Sequence, residues 1–215
     1  CSFIFSDNPK YDFAKVFSQF FSEKIKSHIH DSLILGKNVK MDKQINIAAN
    51  VVLGNNVEVK KGVTIEPNVV IKENVKIKEN VIIRSGTIVG GRPFNFGLIN
   101  DCLDENSFRL PGLGRVIIEK NVEIGHNCVI SKGVFEDTII GKNSRINDLS
   151  HIGNSVVIGS NTLIMANVDI SARVVIGKKC WIAQSSCIRQ GVKIGDNVQV
   201  GMGSVVIKDI EDNTI

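Results

Sequence analysis

From residue 35 onward a branched aliphatic returns every six residues. Leu35, Met41, Ile47, Leu53, Val59, Ile65, Ile71, Ile77, Ile83 and Val89 lead the first run. The pattern resumes at Ile118, Ile124 and Ile130, takes up four extra residues, and continues from Ile140 to Val206. The fifth hexad position is small or β-branched, as at Val39, Val51, Val57, Ser144, Ser150, Thr162 and Cys180, and the second is often Gly. Such a period predicts an all-β solenoid, a parallel β-helix of hexapeptide repeats. Six residues make a short strand and a corner, and three such sides close one coil. Positions one and five face inward, so aliphatics stack from coil to coil about 4.8 Å apart. Gly at position two, or Asn at position four, suits corners with positive φ. The two runs predict about eight coils over residues 35–215, a prism roughly 40 Å long. Periodicity does not fix the hand; crossovers in general favour the right-handed one.

Outside the repeat the pattern changes. Residues 1–6 read as a short strand. Asn8 then caps a helix with Pro9 at its first position, and Phe13, Val16, Phe17, Phe20, Phe21 and Ile25 recur on one face of it. This amphipathic helix is expected to cover the open end of the solenoid or to pack on a preceding domain. Residues 1–34 thus form an N-terminal appendage, with His28 and His30 as linker residues. Between 90 and 117 a loop interrupts the coils. Loops of this length inside a repeat tend to be functional, and Phe94, Phe96 and Phe108 predict one that is ordered against something. A smaller corner excursion falls at Val134–Asp137.

Composition narrows the picture only a little. Aromatics make up 6% of the residues and there are four Pro, which suits a solenoid, and the net charge of +4 comes from interleaved Lys, Glu and Asp. No basic–aromatic signature for nucleic acid is present, no apolar run reaches membrane-spanning length, and no signal peptide is visible. The five Cys have no paired framework, and Cys128 and Cys180 hold inward positions, which suits packing in a reducing, cytoplasmic compartment. The chain begins at Cys1 rather than Met, as a piece of a longer protein would.

Four stretches carry a more specific likeness: NPKYDFAKVF, VGGRPFNFG, LPGLGRVIIEKNVEIGHN and ISKGVFEDTIIGKNSRINDLSHIGNSVVIG. Hexads alone occur in many acyltransferases and in non-enzymes. The ordered set of helix, aromatic loop, four-residue expansion and following coil resembles the UDP-3-O-acylglucosamine N-acyltransferase family of the lipid A pathway. The resemblance implies a left-handed β-helix, homotrimers with sites between neighbouring prisms, and an acyl thioester on acyl carrier protein as co-substrate. It implies the amine of a nucleotide sugar as acceptor and no tightly bound cofactor. It also implies a uridine-binding domain before the coils, of which only the last strand falls in this chain, and a helical tail after them.

Attack of an amine on a thioester needs a general base and donors for the developing oxyanion. The family's base is a His at the third position of a hexad reading Ile-Ala-His-Asn-Val-x-Ile-Gly; here the matching residue is Asn154, which cannot take the proton. His151 matches a second His of the family and is either a base or an exposed corner residue. Asp148, with Asn147 in reversed order against the family's pair, could orient an imidazole or simply line a polar corner. Ala172, one coil after Asn154, offers a backbone N–H for the oxyanion. Phe94, Phe96 and His126 are candidate substrate-binding residues, His126 lying on another prism side than Asn154. Arg173, Lys178, Lys179 and Arg189 form an expected basic cluster for an acidic carrier or a phosphopantetheine phosphate. A zinc site like that of the γ-class carbonic anhydrases, which share the solenoid, needs three converging His. His126 and His151 do not have that spacing, and no metal is expected. Two other readings stand beside the first: an acetyl-CoA-dependent sugar N- or O-acetyltransferase, and a catalytically silent scaffold, which Asn154 favours.

Overall fold

The computed structural model describes residues 5–21, 27–97 and 107–215. It is a left-handed parallel β-helix of about nine turns with one short helix, α1 (Pro9–Phe21). The hand is the one the family resemblance implies, against the general preference of crossovers. The first turn lays down β1 (His28–Ile29), β2 (Ile34–Leu35) and β3 (Lys40–Met41), and each strand founds one of three sheets, here A, B and C. Sheets A and B hold nine strands each and sheet C eight. The strands are two to four residues long and pair in parallel, each residue facing its counterpart one coil away, as Ile47 faces Ile65 and Ile152 faces Ile170.

The coils begin earlier than the aliphatic count suggests. β1 pairs with Asn46–Ile47, so His28 and Ile29 belong to the first coil rather than to a linker, and the expected eight coils become about nine. The hexad Ile29–Ile34 lacks Gly and Asn at its corner, and the exposed His30 and Asp31 hide it.

Positions one and five fill the interior. Ile47, Leu53, Ile65, Ile83, Ile124 and Ile152 are fully buried, as are Val51, Val69 and Val174 at position five. Where position five is a hydroxyl, it is satisfied within the core. Thr162 Oγ1 donates to Gly177 O at 2.9 Å and accepts from Cys180 N at 3.1 Å. Thr87 does the same with Gly125 O and Cys128 N, and Ser144 with Gly159 O and Thr162 N. Burial raises the thiol pKa of Cys128 and Cys180, which pack here as small hydrophobes.

The corners separate two roles that position two and position four were expected to share. Positive φ falls at position four, on Asn at most corners and on Gly62, Gly86, Gly191 and Gly203. Asn side chains there link coil to coil, as from Asn56 to Asn74 at 3.0 Å. Five corners take the same conformation without Asn or Gly: Leu149, Ser155, Arg173, Lys179 and Ser185. Gly at position two has ordinary φ, except Gly90 at the start of the long excursion (φ +85), and in the regular coils it is required for space. A Cβ on Gly141 would lie 2.5 Å from Ile158 O and 2.6 Å from Gly159 C.

Asn8 caps α1 as expected, accepting from Tyr11 N at 3.2 Å. No residue of the helix is buried, so its stack of Phe13, Phe17 and Phe21 covers nothing among the described residues. The expected N-terminal strand falls largely on residues outside the described ones, as does Ile25. No helix among the described residues is long and apolar enough to cross a membrane.

Candidate functional site

Both interruptions of the repeat leave the prism at the same place, the edge between sheets B and C. The long one departs after Ile88–Gly91 and returns at Val116–Ile118; the short one lies between Val129–Ser131 and Thr138–Ile140. They interlock. Leu113 N donates to Val134 O at 2.7 Å, Arg115 N to Asp137 Oδ1 at 2.8 Å, and Thr138 N to Arg115 O at 2.9 Å. The Arg115 guanidinium holds the Asp137 carboxyl below the usual carboxylate range. Gly112 permits the approach, since a Cβ there would meet Lys132 Cε at 2.7 Å and Pro93 Cδ at 2.8 Å.

Asn154 and Ser155 form the next corner of this edge, directly against the short excursion. Ser155 N donates to Thr138 Oγ1 at 2.9 Å and Ser155 Oγ to Glu136 Oε2 at 3.4 Å. Asn154 is only 8% exposed, and its Nδ2 has no hydrogen-bond partner among the described residues. Ala172 follows one coil later, and its N–H is likewise unpaired among them, whereas Arg173 N donates to Asn154 O at 2.9 Å. Two donors without acceptors thus sit at successive corners of one edge.

His151 stands elsewhere on the same coil, facing outward from sheet B. Its Nδ1 lies 2.8 Å from Asp169 Oδ1 of the next coil, and both side chains are about half exposed. A carboxylate on Nδ1 fixes the imidazole and leaves Nε2 as the free nitrogen, the arrangement of a general base and its orienting group. Asp169 was not among the residues the sequence singled out. The signal was available: it lies eighteen residues, one coil, beyond His151.

Asp148 does not orient His151. Its Oδ1 accepts from His126 N at 2.7 Å and faces His126 Nδ1 at 3.0 Å, and the His126 backbone N–H, then its ring, hold this carboxyl low. His126 and Asp148 occupy the edge between sheets A and B, across sheet B from Asn154. With Arg84, Glu123, Arg145 and Leu163 they line a groove of about 550 Å³. Arg84 bridges Glu66 at 2.7 Å and Glu123 at 2.6 Å along its side.

Two other expectations change. Phe94 and Phe96 meet edge to face at 5.1 Å and share the Arg109 guanidinium, 5.2 and 4.6 Å from their ring centres. Phe94 and Phe96 therefore pack on the loop's own arginine, with Phe94 and Phe108 turned to solvent rather than packed on the prism. The basic residues of the later coils do not form one patch. Arg173 and Arg189 lie on the B–C edge and Lys178 and Lys179 on the C–A edge, with sheet C between them. No three His, Cys, Asp or Glu side chains converge as metal ligands among the described residues.

Comparison with known proteins agrees with the repeat. Residues 57–91 and 173–208 match the family described as bacterial transferase hexapeptide (six repeats). A protein of Dechloromonas aromatica named UDP-3-O-acylglucosamine N-acyltransferase is 37% identical over 71 residues, which are 33% of this chain and 19% of that protein. One of the same name from Coxiella burnetii is 43% identical over 72 residues, 34% and 20% of the two chains. The matched part thus spans about a fifth of these relatives' length. Among solved structures, UDP-N-acetylglucosamine O-acyltransferase of Moraxella catarrhalis superposes with a TM-score of 0.73 at 23% identity, covering 84% of this chain and 67% of its own. A further UDP-N-acetylglucosamine acyltransferase gives 0.76 at 22%, covering 87% and 71%. At these identities the likeness shows the fold.

Proposed function

We propose, on the premise of the hexapeptide-repeat matches at residues 57–91 and 173–208, that this chain is an acyltransferase of that class. It moves an acyl group from a thioester, on acyl carrier protein or CoA, to the amine of a nucleotide-linked amino sugar in the cytoplasm. The observation that carries the reading is the His151–Asp169 pair, 2.8 Å apart on the outer face of sheet B. In the proposed reaction the amine nitrogen attacks the thioester carbonyl while His151 Nε2 takes its proton. Asp169 holds the ring in the required tautomer and offsets the charge that forms. The C–S bond breaks, and the thiolate leaves and regains the proton from His151. The unpaired Ala172 N–H and Asn154 Nδ2 suit the oxyanion, because fixed donors cost no reorganisation.

Base and donors stand on different parts of one prism, the dyad on the face of sheet B and the donors on its far edge. A homotrimer would resolve this, with the dyad of one subunit opposite the B–C edge of the next, a heterologous contact that closes into a ring. Asn154, at the position where the family resemblance implies a base, also supports a second reading, a β-helix that binds the substrates without turning them over.

The test is acyl transfer followed by mass spectrometry, with carrier-protein and CoA thioesters and a panel of amino-sugar nucleotides. The chain as it stands, His151→Gln and Asn154→His are compared. Activity that His151→Gln abolishes supports the dyad. Activity that appears only in Asn154→His assigns the base to the corner and makes the natural chain a binder.

A further inference from the structure

Beneath the long excursion, where it rejoins the B–C edge, lies a cavity of about 240 Å³ lined by Arg92, Arg109, Leu110, Pro111, Gly112 and Lys132. Three of these six residues are cations and none is acidic. We infer that this cavity binds a phosphate group, held by Arg92 and Arg109 over the buried Lys132.

Lys132 is the unusual member. Its side chain is 6% exposed, and a charge so far from water is costly unless it is paired. One partner is present: Glu73 Oε1 at 2.8 Å, two coils earlier on the same edge, and the Lys132 ammonium keeps that carboxyl below its usual range. Arg92 also acts on Glu73, at longer range. Among the described residues one carboxylate therefore balances one of three cations, and two positive charges face the cavity. Arg109 is held ready for this. Its guanidinium is stacked on Phe94 and Phe96, and Nη1 is tied to Pro93 O at 3.1 Å, which fixes the plane of a fork that suits two oxygens at once.

A second, independent observation comes from the next coil. Ile130 pairs with Ile152, so Lys132 and Asn154 occupy equivalent corner positions in successive coils, and Lys132 N donates to Gly91 O beside Arg92. Asn154 Nδ2 is buried without an acceptor. Arg92 and Lys132 line the cavity, and Asn154, one corner beyond its lining residues, extends the row of donors along the edge. An oxyanion with several acceptor oxygens satisfies such a row; a cation or an apolar group does not.

The inference shares Asn154 with the proposed acyl transfer but rests on Arg92, Arg109 and Lys132, and its test requires no turnover. The intact chain is titrated calorimetrically at low ionic strength with inorganic phosphate, UDP and CoA, beside the double variant Arg92→Gln/Arg109→Gln. Both arginines are exposed, so the variant keeps the fold, which circular dichroism checks. Lys61→Gln/Lys142→Gln, on the C–A edge, controls for net charge. The expected result is saturable binding of at least one phosphate ligand, weakened about tenfold or more in the arginine variant and little changed in the lysine variant. Binding that never saturates, or that both variants weaken equally, overturns the site. Which of UDP and CoA binds more tightly identifies the source of the phosphate.

Discussion

His151 Nδ1 and Asp169 Oδ1 are 2.8 Å apart, although eighteen residues separate them in the chain. The parallel register places them side by side on sheet B, with Val129 before them and Cys187 after. Both residues face outward, so the core owes them nothing, and their pairing can be altered without touching the packing.

Asp169→Asn should therefore leave the melting temperature within about 1 °C while lowering kcat about tenfold to a hundredfold, with KM little changed, because an orienting group acts on the transition state. Steady-state kinetics with the donor that proves active gives the split. A KM effect alone would make Asp169 a substrate contact.

The buried hydroxyl ladder yields a stability prediction. Thr162→Val keeps the shape but leaves Gly177 O and Cys180 N unpaired inside the prism, at a cost of about 1–3 kcal/mol. Urea unfolding of the two proteins measures it. Equal midpoints would show that the coils shift to pair those groups elsewhere.

The two kinds of corner glycine should respond in opposite ways. Gly141→Ala pushes a methyl into the backbone of the next coil and should cost about 1–3 kcal/mol. Gly191 has φ +76 with open space around its Cβ position, and most other corners carry Asn there. Gly191→Asn should stay within about 0.5 kcal/mol of the natural chain.

Glu73 links pH to the anchoring of the long excursion. Its carboxyl is held low by Lys132, so the ion pair stabilises above the ordinary carboxylate pKa, and this contribution fades as pH falls through the depressed one. Glu73→Gln leaves the Lys132 ammonium buried beside a neutral amide. With Glu73 itself partly exposed, the cost at neutral pH is about 1–2 kcal/mol. Unfolding midpoints of the two proteins should converge as pH is lowered below the usual carboxylate range. A constant gap would assign the loss to packing.

The coils were legible because the signal is local and repeated: Ile124 and Val174 lie inside for the same reason as every other residue at their positions. The first coil escaped because its corner, His30 to Leu33, carries neither Gly nor Asn. The site was harder to read, since its pairs are set by the coil and not by neighbours in sequence. His126 and Asp148 are twenty-two residues apart, because the four-residue excursion lies between them. His151 and Asp169, beyond it, are eighteen apart. Asp148, three residues from His151, therefore belongs to another imidazole. Nor does composition distinguish a Gly chosen for φ from one chosen for space, as Gly191 and Gly141 show. Burial of Lys132 depends on two loops closing over it, which no periodicity announces.

Most Asn corners bond to the corner one coil away, as Asn38 does to Asn56 and Asn143 to Asn161. The molecule is therefore divisible in steps. A whole coil could be gained or lost toward either end and the new neighbours would mate as the old ones did, whereas a deletion of five residues would put every later aliphatic on the wrong side of the wall. Between Glu73 and Ser155 that modularity ends, because Lys132, Leu113 and Asp137 fasten two loops across the intervening coils. Descendants of this chain are free to change their reach, but they must inherit the middle as a single cassette.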